Sequence, residues 1–221
     1  MFNKKKVFVV ALSVCLVAIL SMGTLAWFSD ADEVENKFMI ADSDHTDPEG
    51  IFSVDVWETT PEEAKDQDGY EYKDIQPGDL LVKAPHVENT GYYDQYIRVT
   101  VTISDAQAWI AALGADFDVT KVFVGFNAGM WNHIWNNLSE NPNADEIVYV
   151  MYYNGILKAV EDITVFTHVQ IPYSLDQYEM AEFGGNFAIN VKADAVQTAN
   201  VVPAGTAAAD AAWTAFKTVE G

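Results

Sequence analysis

The sequence has a single cysteine, Cys15, and it falls inside an N-terminal apolar run. Nothing beyond that run can form a disulfide, so packing has to supply the stability of the domain that follows. Basic residues are also scarce: 12 Lys and Arg stand against 33 Asp and Glu, a formal net charge of −21. That balance argues against nucleic acid and anionic membranes as partners, because both are bound by neutralising their negative groups with Lys and Arg. After residue 26 there is no second apolar run of membrane-spanning length, no LPxTG-like anchoring motif and no internal repeat.

Catalytic constellations are missing too. His45, His86, His133 and His168 begin no HExxH, so the helical pair of zinc ligands that a zinc peptidase needs is not encoded. No GxSxG elbow positions a serine, and no glycine-rich loop is built to cradle phosphate. Acid pairs such as Glu62/Glu63 and Asp145/Glu146 suit acid–base chemistry, but 33 acidic residues produce such pairs by chance. Asp42-Ser43-Asp44 and Asp66-Gln67-Asp68-Gly69 resemble fragments of a calcium loop without its third ligand position, central glycine and terminal glutamate. The reading is therefore a non-enzyme without a cofactor, calcium at these acidic loops being the one alternative.

What is present begins with a leader. Lys4, Lys5 and Lys6 precede an apolar stretch from Val7 to Leu20, and Ser21 to Ala26 is small and weakly polar. This is the order of a secretory signal peptide. The apolar stretch, about 14 residues, falls short of the roughly 20 that span a bilayer; the alternative is an uncleaved anchor. Thr24 and Ala26 place the cleavage between Ala26 and Trp27. Loss of residues 1–26 removes three lysines, leaving 9 Lys and Arg against 33 acids, a net charge of −24. The expectation is an exported bacterial protein, soluble or held at the surface by non-covalent contacts.

The chain then divides into a leader (1–26), an N-terminal extension or donor strand (27–50) and a β-sandwich domain (51–221). In the extension Val34, Phe38 and Ile40 share one parity, so an extended strand sets them on one face. Ile51 to Thr59 reads as a strand with Phe52, Val54 and Val56 on one side. Thr60 to Asp74 reads as an acidic loop, and Gln76-Pro77-Gly78-Asp79 as a sharp turn. Leu80 to Glu88 is strand-like, Pro85 marking an edge or a bulge. From Tyr96 to Ser104, Ile97, Val99, Val101 and Ile103 alternate with polar or aromatic residues, the signature of a half-buried strand. Ser104 is expected to cap a helix near 105–113 that ends at Gly114.

Val119 to Phe126 reads as a strand and Trp131 to Leu138 as a helical turn. Asn154-Gly155 between two strand-like runs predicts a tight hairpin. Asp162 to Pro172 alternates again, with Ile163, Val165, Val169 and Ile171 on one face, and Asn186 to Gln197 forms the last long strand. A second helix near 207–217 sets Trp213 and Phe216 on one side. About eight strands with turns between them predict an all-β fold with minor helices, an antiparallel, jelly-roll-like sandwich.

Several segments, in order, resemble the TasA/camelysin family of exported proteins with a SipW-type signal peptide. They are Gly23-Thr24-Leu25-Ala26-Trp27-Phe28-Ser29-Asp30 at the cleavage site, the turn Gln76-Pro77-Gly78-Asp79 and the strand end Glu88-Asn89-Thr90-Gly91. Tyr152 to Leu157 and the closing strand Val191 to Gln197 complete the set. The resemblance implies cleavage by a SipW-type signal peptidase and a place on the cell surface or in the biofilm matrix. It also implies self-association into fibres, or association with other matrix proteins, by donation of an N-terminal strand; here Phe28, Val34, Phe38 and Ile40 are its candidate anchors. Camelysin is catalogued as a metallopeptidase, but no ligand motif in this chain supports that activity. The other alternative is a monomeric surface-binding or adhesion module displaying Trp57, Tyr92 or Tyr93 to a carbohydrate or host ligand.

Overall fold

A computed structural model describes residues 35–36, 52–59, 61, 65–66, 70, 72–114, 121–176, 178, 180 and 187–221. The leader, the cleavage residues Ala26 and Trp27, and the anchors Phe28, Val34, Phe38 and Ile40 lie outside them, as do Asp42, Asp44, His45 and Asp68. Among the described residues there are twelve strands: β1 (Glu35–Asn36), β2 (Val54–Thr59), β3 (Lys65–Asp66), β4 (Leu80–Val82), β5 (Ala84–Asn89), β6 (Gln95–Ile103), β7 (Phe123–Val124), β8 (Trp131–Asn136), β9 (Ile147–Tyr153), β10 (Asp162–Thr164), β11 (His168–Gln170) and β12 (Ile189–Gln197). Two α-helices, α1 (Ala106–Leu113) and α2 (Ala208–Glu220), accompany them. The fold is all-β with minor helices, as the alternating pattern predicts.

Strand β6 shows why. Ile97, Val99, Val101 and Ile103 are fully buried while Arg98, Thr100 and Thr102 face the other way. A strand with that pattern needs a partner on each edge and a layer on its apolar face. It sits inside a sheet of order β1-β12-β6-β9-β8, in which all pairs are antiparallel except β1 with β12. The opposing layer is formed by β10-β5-β2-β3 and β4-β11-β7. These two smaller sheets are halves of one bent surface, since β11 against β4 and β10 against β5 keep a single register across the break at Lys83: Val82 lies opposite His168, and His86 opposite Thr164. One continuous core fills the space between the layers, drawing on Val54, Val56, Val87, Val99, Val101, Ile147, Val169 and Val191. Helix α1 adds Trp109, its ring 5.2 Å from Phe187 in an edge contact.

The turn at Gln76–Asp79 closes as expected: Asp79 N–H donates to Gln76 O at 3.1 Å, and Gly78 takes φ +89°. A Cβ at Gly78 would also meet the exposed Tyr173 ring, which can swing aside, so it is the positive φ that favours glycine here. Pro85 departs from expectation, for β5 is an interior strand paired to both β2 and β10. The proline is tolerated because Pro85 O accepts from Val165 N–H, just past the end of β10; its ring nitrogen faces that same side and removes no bond to β2.

Other local readings are corrected by distant partners. Trp131–Asn136 is an edge strand against β9, not a helical turn; only Asn137–Ser139 coils, as a 3-10 turn whose Ser139 N–H is accepted by the Asn136 side chain. Asn154-Gly155 makes no hairpin. Neither residue takes the positive φ that a primed turn requires, Asn154 N–H donates to Met130 O, and Leu157 bridges to Gln95 instead. Leu80 to Glu88 and Asp162 to Pro172 each divide between the two halves of the bent layer. The predicted Val119 to Phe126 strand reduces to β7, and the acidic 60–74 loop includes β3. Ser104 does not cap α1: its hydroxyl donates to Asp105 Oδ2 and accepts from Ala188 N–H. On α2, Phe216 is buried but Trp213 is not, the buried set being Ala211, Ala212, Ala215 and Phe216.

Val160 is the sharpest local strain. It takes φ +64° and is 82% exposed, a left-handed conformation that costs a residue with a Cβ about 1–2 kcal/mol and suits a β-branched one least. Its N–H donates to Asn89 O at 2.9 Å, which holds it there. Val160→Gly is expected to raise stability by about 0.5–1 kcal/mol, the relief of strain exceeding the extra unfolded-state entropy of glycine. A higher thermal midpoint checks this; an unchanged or lower one counts against the strain.

Candidate assembly edge and charged faces

On one side of the five-stranded sheet, the outer edge of β12 faces β1. Along that edge, among the described residues, the backbone is partnered at Asp194 and Ala195, opposite Glu35 and Asn36 of β1. An edge strand presents unpaired N–H and C=O groups to any strand that can align with it. Among its described residues, Glu35 and Asn36, the expected donor segment pairs with the sheet in parallel, the pairing with the weaker hydrogen-bond geometry.

Directly behind this edge is an ionic knot. Arg98, the only arginine in the sequence, projects from the outer face of β6. Its Nε and Nη2 donate to Asp194 Oδ2 at 3.0 and 2.7 Å, and its Nη1 donates to Glu220 Oε1 at 2.5 Å. Lys192 Nζ stands 3.6 Å from Asp194 Oδ1, and the Phe216 ring lies 4.6 Å from the guanidinium carbon. Burial disfavours the charge on Arg98, but hydrogen bonds and Coulombic attraction from Asp194 and Glu220 outweigh it and hold the guanidinium above its ordinary range. This cluster ties β6, β12 and α2 together at the position where β1 docks. Sequence reading did not single it out; a solitary arginine on the polar side of the best-defined strand was the available signal.

Helix α2 lies over the same outer face. Its alanines, with Phe216, cover Tyr96, Tyr152, Val196 and Val201 in a cluster separate from the main core. Its N-terminal end is fastened to β8, where Asn132 Nδ2 donates to Ala209 O at 2.8 Å and His133 Nε2 lies 2.9 Å from Asp210 Oδ1.

The opposite layer carries a row of like charges. Asp55 lies opposite Glu88, and Glu88 opposite Asp162, three carboxylates side by side across β2, β5 and β10. Like charges directly opposed destabilise a sheet. Beside the row His86 stacks face to face on Trp57, with centroids 3.9 Å apart and planes 2° apart. His86 Nδ1 lies 3.0 Å from Asp162 Oδ2 and 3.1 Å from Thr164 Oγ1, and Nε2 lies 3.2 Å from Thr59 Oγ1. Trp57 is therefore half-buried against a histidine rather than displayed, Tyr93 is also half-buried, and Tyr92 is exposed. Among the described residues no group of three or more His, Cys, Asp or Glu side chains converges as a metal site, and no helix is long and apolar enough to cross a membrane.

Comparison of the chain with family models, with curated proteins and with solved structures finds no match.

Proposed function

We propose that this chain is an exported structural protein of a bacterial cell surface or biofilm matrix, similar in role to the TasA/camelysin proteins and jelly-roll-like in connectivity. A SipW-type signal peptidase releases it between Ala26 and Trp27, and it polymerises when the segment from Trp27 to Ile40 adds to the β12 edge of a neighbouring copy. The observation that carries this reading is the parallel pairing of Glu35–Asn36 with Asp194–Ala195 at the edge of β12. The same edge of another copy offers this segment the same partners.

Magnitudes support exchange rather than permanent closure. Burying Val34, Phe38 and Ile40 is worth roughly 1.5–3 kcal/mol each, and each ladder hydrogen bond adds about 0.5–1.5 kcal/mol net. Ordering the backbone costs about 1–2 kcal/mol per residue. The terms nearly cancel, so protein concentration and charge decide between monomer and fibre. The net charge of −24 expected after cleavage and the Asp55–Glu88–Asp162 row both oppose close approach.

Deletion of residues 27–40 is expected to abolish polymerisation, seen by electron microscopy and size exclusion, while circular dichroism keeps its β signature. Fibres unchanged by the deletion remove strand donation. In the intact protein, light scattering is expected to rise with added salt and with falling pH, and scattering that responds to neither counts against the charge barrier.

A further inference from the structure

The outer face of the five-stranded sheet also carries two tryptophans that the fold leaves at the surface. Trp135 on β8 is 39% exposed and Trp213 on α2 is 36% exposed. They share one side of the sheet. Asn132 lies opposite Tyr152 and Trp135 opposite Val150, two positions along β9, so Trp135 projects to the side on which Tyr152 meets Phe216 of α2. Between them β8 is irregular: its register shifts between Asn132 and Trp135, and His133 takes φ +49°. A bulge of this kind re-aims a side chain, and it turns the His133 ring onto α2.

Both indoles are held in place. The Trp135 indole N–H donates to Glu140 Oε1 at 3.0 Å. Trp213 stacks on His133 with centroids 4.7 Å apart and planes 19° apart, and His133 is in turn fixed by Asp210. One face of Trp213 is thus occupied by the histidine, and its exposed area belongs to the remaining face and edge. Two indoles on one surface are thus each already ordered and each beside a carboxylate. Rings fixed before binding spare a ligand the cost of ordering them.

We propose that Trp135 and Trp213 form a platform for a polysaccharide without acidic groups. The apolar C–H faces of pyranose rings lie against the indoles, and sugar hydroxyls donate to the free lone pairs of Glu140 and Asp210. Trp213 stacks on His133, two residues from Trp135 along β8, so the two stations neighbour one another on one surface and can take sugars of one chain. The same carboxylates, on a protein of net charge −21, repel uronic acids and other acidic glycans. The platform lies on the intact sheet and does not rest on strand donation.

Affinity electrophoresis of the full chain tests it, using gels containing hydroxyethylcellulose, glycol chitin or polygalacturonate. The expected result is retardation in at least one of the two neutral gels and none in polygalacturonate. Trp135→Ala and Trp213→Ala each weaken retention roughly tenfold, the factor that corresponds to about 1.4 kcal/mol, and Trp57→Phe leaves it unchanged. Circular dichroism and the thermal midpoint accompany every variant. Should Trp213→Ala loosen α2, Trp135→Ala, which removes no helix residue, still decides the question. Absence of retardation in both neutral gels, equal retardation in polygalacturonate, or wild-type retention by Trp135→Ala overturns the proposal.

Discussion

Lys83→Met is expected to lower stability by about 3–5 kcal/mol, and adding Glu58→Leu is expected to restore most of that loss. Glu58 continues the inward parity of Val54 and Val56, and Lys83 lies two residues before Pro85, the residue opposite Glu58. The two charges are therefore diagonal neighbours on the core side of the sheet, with Nζ 2.5 Å from Oε1 and side chains 8% and 3% exposed. Desolvating the pair is expensive, and their attraction only offsets that cost. Removing the ammonium alone takes a close positive charge from a carboxylate held in a region of low dielectric, whereas removing both charges leaves apolar surface that packs. Urea unfolding of the two single variants and the double variant measures the cycle. A double variant as unstable as Lys83→Met would show that the pair is net stabilising. Its place at the break between β4 and β5 fits a role in setting register, since sliding β5 by one residue would carry Lys83 to the outer face and leave Glu58 behind.

Asn89→Ala is expected to cost about 2–4 kcal/mol, from four lost hydrogen bonds at about 0.5–1.5 kcal/mol each, less what neighbours recover. Asn89 is fully buried at the end of β5. Its Nδ2 donates to Tyr93 O at 2.8 Å and Leu157 O at 3.0 Å, and its Oδ1 accepts from Gly91 N–H at 3.0 Å and Gln95 Nε2 at 2.8 Å. One side chain thereby joins the end of β5, the 90–93 turn, the start of β6 and the segment that replaces the expected hairpin. Leu157 O keeps Gln95 N–H, and Gly91 N–H and Gln95 Nε2 both keep Ser53 O, which sets the lower bound. Asn89→Asp is expected to cost at least as much, because it deletes both donors and buries a charge. A shift of the urea midpoint at constant slope is the measurement; a loss below 1 kcal/mol would mean that the network is dispensable.

This network also explains a motif. Glu88-Asn89-Thr90-Gly91 reads in sequence as a strand end and a turn, and it is both. The backbone turn was legible because asparagine commonly bonds its own chain two residues on. That the same amide holds Leu157, 68 positions away, was not, because no local preference encodes that contact. The candidate assembly edge divides in the same way. The closing strand was legible as the last long strand, but the clamp of Arg98 on Asp194 and Glu220 spans 96 and 122 positions and exists only once three elements have packed.

By itself the sequence determined the class of fold and its best-formed pieces. Strict two-residue alternation in the Ile97–Ile103 stretch of β6 admits only a strand, and Pro77-Gly78 admits only a turn. Tertiary structure decided the rest. Trp131–Asn136 became a strand because β9 offered it a ladder, Asn154-Gly155 lost its hairpin to bonds with Met130 and Gln95, and the long runs at 80–88 and 162–172 divided where the layer bends. The physical reason is one throughout. Periodicity and turn chemistry act over a few residues and can be read in order along the chain, whereas strand partners, buried charges and a helix seated on a sheet depend on residues that meet only after the chain has closed on itself.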